Sequence, residues 1–218
     1  MRKKQSGEMA RVKPFEEHTA RYEEWFERHR HAYASELMAV RELLPPQGLG
    51  FEIGVGSGRF AAPLGIKMGI DPSPKMGKIA LARGIQVVGG VAEALPFNDS
   101  TFDFALMVTT ICFLDDPEAA LYEAHRVLKP GGKLIIGFVD RESPLGRIYE
   151  QHKQENVFYR YATFFSVDEV ISLMGKAGFG SLEFRQTIFK GLQELDEPEA
   201  PQPGYGKGSF VVVSGRKE

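Results

Sequence analysis

The stretch Phe51-Glu52-Ile53-Gly54-Val55-Gly56-Ser57-Gly58 decides the fold of this chain, because three glycines follow directly on a short apolar strand at 49–53. Glycine lets the backbone turn tightly and lets a ligand approach the main chain. A pyrophosphate-binding loop requires a further glycine where this chain has Arg59. The loop therefore favours a nucleoside cofactor without a pyrophosphate, over a nicotinamide-dependent oxidoreductase and over an ordinary glycine-rich turn.

Two acidic residues flank this loop. Asp71 ends the next predicted strand, 67–71. A carboxylate at this point accepts hydrogen bonds from both hydroxyls of a ribose; the alternative is a helix cap or a surface turn. Glu52 directly precedes the first glycine, and we expect it either to hold the turn or to face a cofactor ammonium group.

Strands and helices alternate along the chain beyond the loop. Helices are predicted at 60–64 and 74–83, with another that begins at Pro117 and ends before 129–132, and the further strands are 85–88, 104–108 and 133–139. Apolar strands alternating with helices indicate an α/β fold, Rossmann-like, with a doubly wound and mostly parallel sheet. After a helix with a capping box at Ser166 and Glu169, strands at 182–189 and 210–213 predict an antiparallel C-terminal edge hairpin.

The N-terminal part of the chain lies outside this alternating unit. Residues 1–14 are polar and are expected to be loose, while 15–44 carry a helical pattern with a break near 29–31 and predict cap helices. The remaining residues, 15–218, are expected to form one domain. Ligands of open α/β sheets bind beyond the carboxyl ends of the strands. We therefore expect the aromatic segments 15–44 and 140–165 to form a substrate lid.

Composition limits the partners and the compartment. The net charge is −2 at pH 7, whereas nucleic-acid binding usually requires a basic face. Cys112 is the single cysteine, so the chain has neither an intramolecular disulfide nor a cysteine-rich zinc site, and no other group has convincing metal-ligand spacing. No secretory signal or membrane-spanning stretch is recognisable. These features predict a cytoplasmic enzyme without metal, and its oligomeric state stays open.

Five short motifs carry a family resemblance: E-I-G-V-G-S-G at 52–58, G-I-D-P-S at 69–73, A-E-A-L-P-F at 92–97, F-D at 102–103 and R-V-L-K-P-G-G at 126–132. With these motifs the chain resembles the class I S-adenosylmethionine-dependent methyltransferases, in the small-molecule subgroup that includes quinone-biosynthesis enzymes. The resemblance covers roughly residues 49–139. It implies an S-adenosylmethionine cofactor and a domain with the fold predicted above.

The resemblance also assigns residues to the cofactor. They are Glu52, Gly54, Gly56, Gly58, Asp71, Pro72, Ala92, Glu93, Thr109 and Thr110. The glycine loop would lie under the methionine part, Asp71 would hold the ribose, and Ala92 and Glu93 would border the adenine. Relatives commonly have an aspartate that meets the adenine amino group where this chain has Val91, so that interaction is either absent or transferred to Glu93.

The acceptor side is less defined. The resemblance implies in-line methyl transfer to a small molecule; the alternative is a non-catalytic S-adenosylmethionine-binding accessory or sensor protein. Nucleic-acid amino-methyltransferases have an N/D-P-P-aromatic tetrapeptide after the fourth strand, whereas this chain has Thr109-Thr110-Ile111-Cys112. Candidate substrate residues, for which core packing is an equal alternative, are Tyr22, Trp25, Cys112, Phe113 and Tyr149. Polar groups that can reach the pocket are His18, Tyr22, Tyr149 and Asp140, none of them assigned as a base.

Overall fold

A sheet of eight strands forms the centre of the computed structural model, which describes residues 11–218. The strands are β1 (Gly50–Ile53), β2 (Met68–Asp71), β3 (Gln86–Gly89), β4 (Phe102–Val108), β5 (Leu128–Val139), β6 (Phe179–Thr187), β7 (Gln202–Pro203) and β8 (Phe210–Lys217). Their order across the sheet is β3-β2-β1-β4-β5-β8-β6-β7. The strands β1 to β5 pair in parallel, while β8 pairs antiparallel with both β5 and β6. The mostly parallel, Rossmann-like sheet with an antiparallel C-terminal edge is thereby confirmed.

Helices cover both faces of this sheet. They are α1 (Thr19–Arg28), α2 (Arg30–Leu43), α3 (Pro74–Ala82), α4 (Pro117–Val127), α5 (Pro144–His152) and α6 (Val167–Lys176). Each of α3, α4 and α5 has a serine or aspartate cap followed by proline in its first turn, a combination that fixes where a helix begins. The predicted capping box opens α6, and the predicted break in the N-terminal helices falls at His29, between α1 and α2.

Apolar side chains pack on both sides of the sheet. Alternate residues of β1 and β4 point to opposite faces, so Phe51 and Met107 belong to one buried cluster whereas Phe104 and Leu106 belong to the other. The first cluster includes residues of α4 and α6, and the second includes residues of α2 and α3. Burial on both faces explains why the central strands read as nearly continuous apolar runs.

Several predicted boundaries were wrong. Residues 60–64 form hydrogen-bonded turns and not a helix, because Pro63 lacks an amide donor and Gly58 and Gly65 adopt positive φ. The strand β5 begins at Leu128, where an irregularity in its pairing with β4 accommodates the glycines that were predicted to separate helix from strand.

The expectation that residues 1–14 are loose also needs correction. Residues 1–10 lie outside the described residues, but 11–17 are helical. Their side chains contact the rest of the protein: Arg11 pairs with Asp115, and the Glu16 carboxylate accepts a hydrogen bond from the Lys75 amide at 3.0 Å. This short, polar segment is held by contacts with residues distant in sequence. Its own sequence therefore has no apolar periodicity from which a helix could be predicted.

None of the helices in the described part of the chain is both long enough and apolar enough to cross a membrane.

Candidate active site

Two adjoining cavities lie at the carboxyl ends of the parallel strands. The first, here called the loop cavity, has a volume of about 140 Å³ and is bordered by the glycine loop. Eight of the ten residues expected at the cofactor line it: Gly54, Gly56, Asp71, Pro72, Ala92, Glu93, Thr109 and Thr110. The motifs of four different strand ends therefore meet around one space, as expected for the carboxyl edge of a parallel sheet.

The backbone of the glycine loop comes close to its neighbours. Gly54 has φ +69°, and a Cβ atom there would lie 2.3 Å from Cγ2 of Thr110. Gly56 has φ +52°, and a Cβ atom there would lie 3.4 Å from the Tyr22 hydroxyl. Both positions require a conformation that L side chains rarely adopt, so glycine keeps this wall of the cavity formed by main chain.

Asp71 connects the end of β2 to that loop. Its Oδ2 accepts a hydrogen bond from the Gly56 amide and its Oδ1 accepts one from the Ser73 amide, each at 2.8 Å. Burial raises the pKa of the Asp71 carboxyl to about 6, against the lowering effect of these hydrogen bonds. Each oxygen retains a further lone pair, so the carboxylate can both fasten the loop and accept from a ligand in the cavity.

Two predicted cofactor residues do not line the loop cavity. Glu52 is buried beneath the loop, where burial raises its pKa well above the usual value and the Ala61 amide donates to its carboxyl group. It therefore holds the turn. Gly58 has φ +81° and would place a Cβ atom 3.3 Å from Ala80, so it allows the loop to pack against α3.

The remaining predicted residues form the opposite wall. The Glu93 carboxylate accepts hydrogen bonds from the amides of Asp115 and Asp116, at 2.9 and 3.2 Å. Thr110 donates to the carbonyl oxygens of Val108 and Gly54, at 3.0 and 3.3 Å. Thr109 has φ +50°, a strained conformation for a β-branched residue. Strained backbone of this kind concentrates at functional sites.

Segments N-terminal to β1 line the loop cavity and contact its loop. Arg11, Val12 and Phe15 line it from the helical segment 11–17. On α1, the Glu23 carboxylate lies 2.7 Å from the Arg59 guanidinium and 2.5 Å from that of Arg83. Arg59, where a pyrophosphate-binding loop has glycine, is thus used to anchor α1 to the loop.

The second cavity, here called the aromatic cavity, is larger, with a volume of about 640 Å³. All five candidate substrate residues line it: Tyr22, Trp25, Cys112, Phe113 and Tyr149. So do most of the aromatic side chains of 140–165, namely Phe158, Tyr159, Phe164 and Phe165. Burial raises the pKa of the Cys112 thiol to about 12 and also raises the pKa of Tyr22 and Tyr149. These groups are therefore neutral at physiological pH.

The two cavities share a boundary. Phe15, Tyr22, Thr109 and Phe113 line both of them. Three of these rings form edge contacts, with centroids 5.1 Å apart for Phe15 and Phe113 and 5.8 Å apart for Phe15 and Tyr22. A ligand in one cavity is therefore separated from a ligand in the other by this boundary alone.

The four polar candidates differ in whether they line a cavity. Tyr22 and Tyr149 reach the aromatic cavity, whereas His18 and Asp140 line neither cavity. Asp140 instead accepts the amide of Glu142 at 3.1 Å, as part of the turn before α5. Glu36, a buried carboxyl on α2 that lines the aromatic cavity, was not predicted from the sequence. The sequence feature that could have identified it is a glutamate among the apolar positions of the amphipathic helix α2.

This architecture defines a Rossmann-like protein that binds a nucleoside cofactor at the carboxyl edge of its sheet, next to a second and larger cavity. A family model described as a methyltransferase domain matches residues 51–136. The chain belongs to the S-adenosylmethionine-dependent methyltransferases of class I, and S-adenosylmethionine is its cofactor.

Comparison with known proteins supports this assignment along nearly the whole chain. The crystal structure of a SAM-dependent methyltransferase from Thermotoga maritima, described as a possible histamine N-methyltransferase, is 57% identical with a TM-score of 0.93 and covers 95% of this chain and 100% of its own. An uncharacterized protein of Methanocaldococcus jannaschii is 45% identical, over 93% of this chain and 98% of its own length.

A third relative is a ubiquinone/menaquinone biosynthesis C-methyltransferase of an Enterobacter species. It is 40% identical over 90 residues, which are 38% of this chain and 36% of that enzyme. The expected likeness to quinone-biosynthesis enzymes is therefore present but partial, and it does not carry a quinone acceptor over to this chain.

The residues of the loop cavity fit the cofactor. Gly54 has no room for a side chain and Gly56 has a φ of +52°, so both positions are kept as bare main chain that a ligand can approach closely. Asp71 presents a carboxylate of the kind that accepts ribose hydroxyls.

Proposed function

We propose that the protein transfers a methyl group from S-adenosylmethionine in the loop cavity to a small-molecule acceptor in the aromatic cavity. The observation that supports this most directly is the boundary of Phe15, Tyr22, Thr109 and Phe113 shared by the two cavities. In-line displacement requires donor and acceptor to meet end to end in a fixed geometry, and adjoining cavities meet this requirement.

In this proposal each part of the loop cavity holds one part of the cofactor. The glycine loop borders the methionine part, Asp71 accepts the ribose hydroxyls, and the backbone at Ala92 and Glu93 borders the adenine. Val91 has no polar side-chain group, and both amides that donate to Glu93 bind its Oε1. Recognition of the adenine is therefore assigned to the main chain and to Oε2 of Glu93. When bound, the sulfonium supplies an electrophilic methyl group, and the electron pair of the broken C–S bond returns to sulfur.

The protein's own contribution is alignment and exclusion of water. Aromatic side chains form most of the shared boundary, and the rings of Tyr149, Tyr159 and Phe164 pack together at centroid distances of 4.7–6.1 Å. We propose that 15–44 and 140–165 close over the acceptor as a lid and that 11–17 closes over the cofactor. A dry site strengthens electrostatic interactions and prevents hydrolytic side reactions.

The acceptor is proposed to be a small molecule and not a nucleic acid. The aromatic cavity is roofed by side chains from α1 and α5, and the chain has a net charge of −2. Phosphate neutralisation by a nucleic-acid-binding protein requires clustered lysine or arginine. Histamine belongs in the first acceptor panel, because the related Thermotoga maritima protein is described as a possible histamine N-methyltransferase.

The experiment is a metabolite screen with labelled S-adenosylmethionine, read as S-adenosylhomocysteine formed. Cys112→Phe fills the aromatic cavity next to Thr109 and is expected to abolish transfer, while calorimetry shows S-adenosylmethionine binding unchanged. Cys112→Ala, at the same position, is the control and should retain transfer. Methylation of DNA or RNA at low salt, or transfer that survives Cys112→Phe, would contradict the proposal.

We also propose that the protein works in the cytoplasm, where its single cysteine would stay reduced. Cell fractionation with an antibody against the chain tests this location.

A further inference from the structure

Glu36 is an unusual residue for its position. It lies on the buried face of α2, where its helix neighbours Ala32, Ala39, Val40 and Leu43 are apolar. Its own exposed fraction is 4%. Among the described residues 11–218 its carboxyl group has no ion-pair or hydrogen-bond partner, and burial raises its pKa to about 8. An unpaired buried carboxyl is costly, so a purely structural role does not account for it.

The carboxyl group faces the aromatic cavity and not the solid core. Glu36 lines this cavity together with Trp25, Tyr149 and Tyr159. The charge of Glu36 raises the pKa of both tyrosines, which places them within electrostatic reach of it. Aromatic faces and a carboxylate are the two groups that recognise organic cations in proteins.

Two arginines and a histidine line the same cavity: Arg21, Arg28 and His29. Arg21 is exposed. Arg28 is exposed and pairs with Glu24 at 2.7 Å. The His29 ring contacts the Trp25 carbonyl oxygen at 3.1 Å, and burial lowers its pKa. Within the described part of the chain, none of these three side chains forms an ion pair or hydrogen bond with Glu36, and none contributes to its pKa shift.

We propose that the acceptor is an organic cation, a protonated amine with an apolar body, and that Glu36 is its counter-charge in the aromatic cavity. This inference rests on the proposed function, because it takes the aromatic cavity to be the acceptor site. Glu36 lines only this cavity and not the boundary with the loop cavity. It therefore binds the charged end of the acceptor and determines specificity, while the atom to be methylated is the one that reaches Thr109 and Phe113.

Binding of the cation is coupled to release of a proton. Near neutral pH the free protein keeps Glu36 protonated, and the other titratable groups that face it are neutral: Tyr33, Tyr149, Tyr159 and Cys112 have raised pKa values, and His29 a lowered one. When an ammonium group docks, the carboxyl releases its proton to solvent and forms a charge-assisted pair. A neutral ligand of the same shape would release none.

The test is calorimetry with S-adenosylhomocysteine present, using amines and their hydroxyl counterparts as matched probes: 2-phenylethylamine with 2-phenylethanol, and tyramine with its alcohol, plus histamine. Titrations in two buffers of different ionisation enthalpy report the protons released. The variants are Glu36→Gln, which keeps the shape, and Glu42→Gln, a control on the same helix at a glutamate that pairs with Arg185 and lines neither cavity.

We expect at least one amine to bind about ten- to hundredfold more tightly than its alcohol, with about one proton released at pH 7. Glu36→Gln should remove both the preference and the proton release, and Glu42→Gln should leave both unchanged. Melting curves confirm that each variant is folded.

The inference is overturned if no amine binds better than its alcohol, or if Glu36→Gln leaves the preference intact. Neither result affects the proposed function, since neutral acceptors would still be methylated. Conversely, if no small molecule is methylated but amines bind in a Glu36-dependent way, the proposed function fails while the cation site stands.

Discussion

The two cavities are built in different ways. The loop cavity is formed by main chain and by residues at strand ends, and its sequence motifs all lie between 52 and 110. The aromatic cavity is formed by side chains of α1, α2, α5 and the turns around Tyr159. Contacts within it join residues more than a hundred positions apart, such as Trp25 and Tyr149. The first cavity is thus fixed by the fold, and the second by packing of segments that are distant in sequence.

This difference separates cofactor from acceptor. A cavity made of backbone tolerates changes in surrounding side chains, whereas a cavity made of side chains changes its shape and charge with single substitutions. Folds of this kind support many reactions because the site varies on a constant scaffold. We therefore expect substitutions in the aromatic cavity to change acceptor choice and stability, and substitutions in the loop cavity to change cofactor affinity.

The largest expected effect is on stability, at Glu36. The raised pKa of its carboxyl means that the folded chain keeps a proton that the unfolded chain loses as pH rises from about 4.5 to about 8. The free energy of unfolding of the wild type therefore decreases over this pH range. Glu36→Gln cannot ionise at this position, so its free energy of unfolding does not decrease for this reason. We expect Glu36→Gln to gain on the order of 3 kcal/mol relative to wild type between pH 5 and pH 8.

Urea unfolding at the two pH values measures this difference. Glu24→Gln is the control, since that side chain is exposed and paired with Arg28. If the stability difference between Glu36→Gln and wild type does not depend on pH, Glu36 is ionised in the folded protein. The aromatic cavity then does not hold a neutral carboxyl, and this contrast with the loop cavity is lost.

A second prediction concerns the backbone wall. Gly54→Val places a branched side chain against Thr110 at φ +69°, so we expect S-adenosylmethionine affinity to fall at least about a hundredfold. Gly65→Val is the control, because Gly65 has φ +79° but a Cβ atom there would meet nothing within 4 Å. Both variants carry the backbone strain, and the difference between them in calorimetry measures the collision. Equal affinities would mean that side-chain space at Gly54 is irrelevant to the cofactor.

Gly54, Asp71 and Glu36 show which site residues can be predicted from the sequence and which cannot. Gly54 and Asp71 were predicted because their roles depend on position relative to a strand, which periodicity and glycine spacing reveal. Glu36 was missed because its role depends on which side chains surround it, and that is set by the packing of α2 against segments far away in sequence. The helical segment 11–17 was missed for the same reason, since its contacts are all tertiary.

For some candidate residues, the sequence left two alternatives open. Cys112 and Tyr149 were expected either in a substrate cavity or in the core, and only their placement in three dimensions puts them at the aromatic cavity. Asp71 ends β2 and Asp140 directly follows β5, so both lie at the carboxyl end of a strand, yet Asp140 turns into the loop before α5. Position at a strand end therefore identifies a possible site residue, while the direction of its side chain depends on the turn that follows.

Asp71 carries the third prediction. Asp71→Asn keeps one acceptor for the loop amides but removes the charge, and we expect cofactor affinity to fall about tenfold. Since the pKa of the Asp71 carboxyl is about 6 in the free protein, wild-type affinity should fall as pH drops below 6, because protonation removes the acceptor charge. Calorimetry from pH 5 to pH 8 tests both statements. Affinity that is independent of pH in the wild type would show that Asp71 serves the loop and not the ribose.

The smallest expected effect concerns the roof of the loop cavity, which, unlike its walls, is held by side chains. The Arg11 guanidinium lies 2.9 Å from the Asp115 carboxylate, and it also donates to the Leu114 carbonyl oxygen. Both groups are partly exposed, and such pairs contribute at most about 1 kcal/mol. Arg11→Ala should therefore speed S-adenosylhomocysteine release about two- to fivefold in stopped-flow measurements, with the melting temperature of the free protein nearly unchanged.

Lys13→Ala is the matched control, because Lys13 lies on the same segment but pairs only with exposed Glu17 within it, at 3.6 Å. High salt should weaken the Arg11 pair and so reduce the difference between wild type and variant. If Arg11→Ala and Lys13→Ala release the product at the wild-type rate, segment 11–17 does not retain the cofactor, and closure of the loop cavity depends on α1 and its Glu23 anchor alone.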